Sequence, residues 1–171
     1  MIKRLLIIIC CVCFQNLLFA QIDSLKKIDK IVRKIDSDKK LKTQKFNTDD
    51  VYNKPTDGGG IIEIKLNGTE IKKIRQEIGV SLGRLTTVIY MVDGEPIKII
   101  DREENFDWSE EQSTYDYHSV DLVYQAEIYV FDAKQDKYKV ISTGDRNLSS
   151  GNASLSEYTP LIKLAQDIIE Q

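Results

Sequence analysis

Leu25, Ile28, Val32 and Ile35 recur at intervals of three and four residues, which places them on one face of a helix that the pattern carries from Ile22 to about Lys42. Every other face of that stretch is charged. After residue 60 the period changes to two. Ile62, Ile64 and Leu66 share one side of a strand, Asn67-Gly68 forms a two-residue hairpin turn, and Thr69 to about Ile78 returns. Ile71, Ile74 and Ile78 also fit helical spacing, and the Asn-Gly turn decides for the strand. A second hairpin runs from Arg84 to Val92, through Asp93-Gly94, and back from Glu95 to Arg102. In the third, Val120, Leu122, Tyr124, Ala126, Ile128 and Val130 alternate with mostly polar residues, Ala133 to Asp136 turn, and Lys137 to Thr143 come back. At the end Thr159 is a helix N-cap with Pro160 in the first helical position, and Leu161, Leu164, Ala165, Ile168 and Ile169 form an apolar stripe. The pattern predicts an α+β fold: an antiparallel β-meander of about six strands, an N-terminal amphipathic helix, and a short C-terminal helix packed on one face. No strand, helix, parallel-strand pattern of a nucleotide-binding fold is present. Residues 43 to 60 are polar, end in Gly58-Gly59-Gly60, and are expected to form a linker or loop.

The extreme N-terminus changes the picture of where the chain acts. Lys3 and Arg4 precede an apolar run from Leu5 to Phe14, and Gln15-Asn16 interrupts it before Leu17 to Ala20. This stretch is shorter than the roughly 20 residues of a spanning helix and predicts an export signal cleaved after Ala20. These residues, with Phe19-Ala20-Gln21, resemble the starts of small exported proteins of Gram-negative bacteria. The resemblance implies a periplasmic or secreted address and nothing about activity. Lipid anchoring is disfavoured, because Ile9, Cys10 and Val12 precede the cysteines where such processing favours a small residue. The expected organisation is therefore a signal over 1–20, a basic helix over 21–45 and a single domain over 46–171.

Charge is divided unevenly along the chain. Residues 23 to 45 hold nine Lys or Arg against four Asp, while residues 46 to 171 hold 13 basic and 23 acidic residues. The basic helix either docks its stripe on its own acidic domain or serves as an arm for an anionic membrane surface or a partner protein. Nucleic acid is excluded as a partner, since the acidic domain repels phosphate. Cys10, Cys11 and Cys13 all fall within the signal, which removes disulfides, thiol catalysis and cysteine metal sites from the exported form. With one histidine, His118, a multi-histidine metal centre is excluded, and no cofactor is expected.

Two segments carry candidate chemistry. Gly79-Val80-Ser81-Leu82-Gly83 matches the G-x-S-x-G elbow of hydrolases, whose serine needs a strand-to-helix turn. The residues after Gly83 are strand-forming, so the segment is expected to be a loop between hairpins with glycines at positive φ. Residues 101 to 118 contain seven acids and four aromatics, the chain's single tryptophan among them. They are expected to form a long loop, and loops of that length tend to be functional. Phe106, Trp108, Glu110, Glu111, Tyr115, Tyr117 and His118 are the candidate binding residues, fitted to a sugar or to a basic protein surface. The alternative is that Phe106 and Trp108 plug the open end of the sheet. Adjacent acids such as Glu103-Glu104 show no spacing that acid–base catalysis requires. The function expected is a non-catalytic binding or interaction module of the cell envelope. A periplasmic immunity or enzyme-inhibitor protein is one alternative, and a small hydrolase using Ser81 the other.

Overall fold

The computed structural model describes residues 23–111 and 113–170. The expected export signal over 1–20, with its cleavage point after Ala20, lies outside the described residues. The chain divides between Ser37 and Asp38 into two compact units. In the first, residues 23–37 form α1, which stops short of the expected end near Lys42 where the Ser37 hydroxyl donates to the Lys34 carbonyl at 3.1 Å. Asp23 and Lys27 pair one turn apart at 3.0 Å, and at that exposure contribute a few tenths of a kcal/mol.

The second unit is a seven-stranded, wholly antiparallel sheet in sequence order: β1 (Lys42–Asn47), β2 (Gly60–Asn67), β3 (Glu70–Val80), β4 (Gly83–Val92), β5 (Glu95–Ser109), β6 (Thr114–Asp132) and β7 (Lys137–Gly144). Two helices accompany it, α2 (Thr48–Tyr52) and α3 (Leu155–Ile169). Turn chemistry sets the register. Asp93 and Gly94 both take positive φ, 52° and 78°, as the tight hairpin between β4 and β5 demands.

One transverse row shows why the core forms. Ile64, Ile74, Ile89, Ile99 and Ile128 are successive cross-strand partners from β2 to β6, and each is fully buried. Period two puts all of them on one face. α3 covers that face with Leu155, Tyr158, Leu161 and Ala165. The row ends in Gln44 on β1 and Val140 on β7, where the sheet runs out. Across the opposite face a charged ladder crosses β1 to β5: Lys45 with Glu63, Glu63 with Arg75 at 3.7 Å, Arg75 with Glu77, Glu77 with Arg84 at 3.8 Å, and Arg84 with Glu104 at 2.8 Å.

Several expectations are corrected. The sheet has seven strands rather than six, because residues 43 to 60 are not a linker: they contain most of β1, then α2, capped by the Asn47 side chain accepting from Asp49 N–H at 2.9 Å. The glycine run beyond α2 reaches Gly79, with Gly58 N–H donating to Gly79 O at 3.1 Å and Gly79 N–H to Gly59 O at 2.9 Å. A Cβ on Gly79 would lie 2.5 Å from Gly58 O, so close backbone approach fixes this glycine, and it does not have the positive φ expected. α3 starts at Leu155 rather than after Thr159, and Pro160 lies inside it. Burial of Leu155 and Tyr158 outweighs the one helical hydrogen bond that proline removes. Finally, residues 103 to 118 are mostly strand, not loop.

Candidate functional site

β5 and β6 outrun their neighbours. β4 pairs with β5 as far as Gly83 opposite Asn105, and β7 pairs with β6 as far as Gly144 opposite Tyr124. Among the described residues, the segments Phe106–Ser109 and Thr114–Val120 have strand pairing only with each other, and they extend the sheet as a two-stranded arm. At its root the Phe106 N–H donates to Leu82 O at 3.0 Å.

Alternation then sorts the arm's side chains. Phe106 and Trp108 stand two apart on β5 and share a face, and Tyr115 is the cross-strand partner of Trp108. Because Asp107 faces Asp116 while Phe106 faces Val120, Tyr117, His118 and Ser119 bulge from the ladder. The bulge turns the Tyr117 ring edge-on to Phe106, with centroids 5.0 Å apart and planes at 72°. Trp108 and Tyr115 form a second edge-on pair at 5.1 Å and 80°. Trp108 is 51% exposed, so it does not plug the open end of the sheet; Phe106 is half-buried at the root of the arm, and Tyr117 is 63% exposed. Glu110 and Glu111 occupy the exposed turn, and His118 is exposed, its N–H donating to Asp116 Oδ1 at 2.9 Å. The Ser119 hydroxyl donates to Asp107. The structure thus brings the four aromatics together in two pairs and places the two glutamates and the histidine at the tip and bulge of the same arm.

Just inside the arm, β5 carries a second polar group that the sequence reading missed. Asp101 and Glu103 continue the inward parity of Ile99 and face the core side of the sheet. Asp101 Oδ2 accepts from Arg146 at 2.6 Å and Tyr158 OH at 3.0 Å, and Oδ1 accepts from Thr87 at 3.3 Å. Glu103, 1% exposed, accepts from the backbone N–H groups of Asn147 and Leu148, both at 2.8 Å, and from the Ser149 hydroxyl. The Arg146 guanidinium also lies 4.9 Å from the Tyr124 ring centroid and 3.3 Å from Glu157. Burial pushes the Asp101 carboxyl above its ordinary value, and Arg146, Tyr158 and Thr87 offset this only in part. Burial acts upward on Glu103 too, but the donors of Ser149, Leu148 and Asn147, with the Arg146 charge, hold it below the usual carboxylate range. A cavity of about 180 Å³ borders this group, lined in part by Gln76, Thr87, Asp101 and Arg146. That is smaller than the roughly 300 Å³ of a typical ligand site, and its charges are engaged with one another. It is a clasp that pins the loop after β7 to the sheet.

The chain matches no known protein family, no characterised protein and no solved structure.

Ser81 sits in the turn between two strands, β3 and β4, and its hydroxyl donates to Asp57. The strand-to-helix turn of a hydrolase elbow is absent at this serine, as the strand-forming residues after Gly83 imply. Among the described residues, no group of three His, Cys, Asp or Glu is placed to hold a metal ion, and no helix is long and apolar enough to cross a membrane. Inward carboxylates at 101 and 103 are detectable in the sequence, since they interrupt the apolar alternation that runs through Ile97 and Ile99. Nothing in the sequence marks Arg146 as their partner.

Proposed function

We propose that the chain is a non-catalytic interaction module of the bacterial cell envelope, exported to the periplasm or beyond, whose contact surface is the β5–β6 arm. One observation carries the reading: two edge-on aromatic pairs stand on a single face of a ribbon that leaves the body of the sheet, with Trp108 and Tyr117 more than half exposed. Aromatic side chains bury large area at low entropic cost, and they concentrate binding energy in contact surfaces. A two-stranded ribbon adds little to folding by itself. Its aromatics therefore gain most when a partner covers them. A direct test replaces residues 107–119 with an Asn-Gly turn and introduces a photo-crosslinking side chain at position 117 of the intact protein. The shortened protein is expected to keep its unfolding free energy within about 1 kcal/mol while arm-directed adducts form in the exporting cell only with the arm present. Adducts of the same partners with the shortened protein, labelled elsewhere, refute the assignment.

A further inference from the structure

Three features of the arm are independent of one another and converge on the chemistry of its partner. The first is charge. From Glu103 to Ala133 the chain contains no Lys or Arg, while Asp107, Glu110, Glu111, Asp116 and Asp121 lie on or beside the arm. A surface of one sign draws the opposite sign and repels its own. The second is ring geometry. With planes at 72° and 80°, neither pair presents two coplanar rings for a sugar to stack across, while Trp108 and Tyr117 are more than half exposed. Exposed aromatic rings on a ribbon whose charges are all negative attract ammonium and guanidinium groups, although Asp107 and Asp116, as cross-strand partners, point to the face away from Trp108 and Tyr115. The chain already uses this contact internally, with Lys98 4.3 Å from the Tyr129 ring centroid. The third is the ladder. Beyond Gly144, the outer edge of β6 from Thr114 to Leu122 has no strand beside it among the described residues. A strand edge of that length offers backbone donors and acceptors to an extended peptide.

We infer that the arm binds a cationic, extended polypeptide segment, which adds as a strand along the outer edge of β6 and sets Lys or Arg side chains against the Trp108 and Tyr117 rings. The inference rests on the reading of the arm as the contact surface and names its partner class. Every second side chain of an added strand points to the aromatic face, so alternation of basic with small polar residues fits the site best. The bulge at Tyr117–Ser119 divides the edge, leaving Tyr115-Asp116 and Val120–Leu122 as the pairing stretches.

Trp108 is the chain's single tryptophan and reports on the site directly. The full exported protein is titrated, by its tryptophan emission, with an alternating Lys-Thr peptide, a Glu-Thr peptide of equal length, the Lys-Thr peptide N-methylated at alternate backbone positions, a cello-oligosaccharide, and phosphatidylglycerol vesicles. The Lys-Thr peptide is expected to shift the emission saturably and to lose at least about tenfold in affinity between about 0.1 M and about 1 M salt, as the screening length shrinks. Tyr117→Ala and the pair Glu110→Gln, Glu111→Gln, all at exposed positions, are expected to weaken it about tenfold each without altering the unfolding midpoint. The N-methylated peptide is expected to fail. Equal binding of the Glu-Thr peptide, or a response only to the oligosaccharide or the vesicles, overturns the inference. Full activity of the N-methylated peptide overturns strand addition. If no peptide binds while arm-dependent adducts persist in the cell, the cationic partner falls and the interaction module stands.

Discussion

Replacing Glu103 with alanine tests whether the clasp holds the loop after β7 to the sheet. The carboxylate is 1% exposed and accepts two backbone N–H donors at 2.8 Å besides the Ser149 hydroxyl. Hydrogen bonds to a charged group contribute about 1.5–3 kcal/mol each, and an orphaned buried donor costs about 1–3 kcal/mol. The loop is only partly buried, so water reaches some of what the alanine leaves, and the expected loss is about 3–5 kcal/mol. That is a large share of the roughly 5–15 kcal/mol by which a domain is stable. Glu103→Gln keeps one acceptor oxygen but turns a donor toward the donors of the loop, and should cost about 1–3 kcal/mol. Urea unfolding measures the loss, and amide exchange at Asn147 and Leu148 locates it, with both amides exposed well before the strands. The pH dependence supplies a sign. Because the folded carboxyl lies below its ordinary 4.5, its contribution is complete above that value and is lost as pH falls through the depressed folded value. The gap between wild type and Glu103→Gln should therefore narrow in acid. A loss under about 1 kcal/mol for the alanine variant, or a gap that widens in acid, refutes the clasp.

Three further outcomes are expected. Gly144→Ala should destabilise by about 2 kcal/mol or more, since its Cβ would lie 1.9 Å from Val123 O at a φ of +73°, whereas Gly94→Ala meets nothing within 4 Å and should cost about 1 kcal/mol; urea midpoints separate the two. Burial, with the Glu127 carboxylate beside it, pushes the Tyr129 phenol up to about 12, so folded stability should fall as pH rises from its ordinary 10.0 towards that value, and less so in Tyr129→Phe when the two are unfolded by urea across that window. Ile89→Ala, in the middle of the isoleucine row, should cost about 2–5 kcal/mol by calorimetry, while Trp108→Ala should change stability by less than about 1 kcal/mol, because half of its surface is already in water.

The body of the sheet was legible because one side of each central strand is buried and turn residues have steep requirements. Ile62, Ile64 and Leu66 could only face one way, and Asp93-Gly94 could only turn the chain; the first turn falls one residue later than the Asn67-Gly68 expected, at Gly68-Thr69, where Gly68 takes the positive φ and Asn67 closes β2 opposite Glu70. β1 escaped notice for the converse reason. As an edge strand with residues such as Lys42, Thr43, Gln44 and Lys45 exposed, it has no apolar alternation to display. The arm's polar sequence predicts a loop, because polar runs are the usual mark of irregular backbone. A ribbon without a core beneath it carries no apolar face, and its period-two signal lies instead in Phe106-x-Trp108 and Tyr115-x-Tyr117, of which Trp108 and Tyr115 are cross-strand partners, Phe106 pairs with Val120 and Tyr117 lies in the bulge. The C-terminal helix began early because Leu155 and Tyr158 find partners only in three dimensions. Long-range polar partners such as Arg146 and Asp101, 45 residues apart, have no local signature at all.

Clasp and arm lie on one strand, so what stabilises the first bears on the geometry of the second. Along β5, Asp101 and Glu103 are buried and tied to the loop after β7, Asn105 makes the last pairing with β4, and Phe106 and Trp108 open the aromatic face. A free two-stranded ribbon is marginal in water, so the arm must take its register from its root. The root is bonded from both sides of the strand. On one face Glu103 accepts from the loop, on the other Glu104 pairs with Arg84 at 2.8 Å, and the backbone of Phe106 is held by Leu82. β6 has a bulge at this level too, where Glu103 faces Tyr124 and Glu104 faces Leu122, leaving Val123 as the extra residue against which Gly144 closes. Polar groups that look wasteful in a core thus set where the ladder stops and in which direction the aromatics leave it. It follows that loosening Glu103 should disturb the pairing of Trp108 with Tyr115 as well as the loop, and near-ultraviolet circular dichroism of Glu103→Gln below its unfolding midpoint reads that coupling. An unchanged aromatic signal, with the Asn147 and Leu148 amides exposed, would separate the two and leave the arm supported by its own ladder alone.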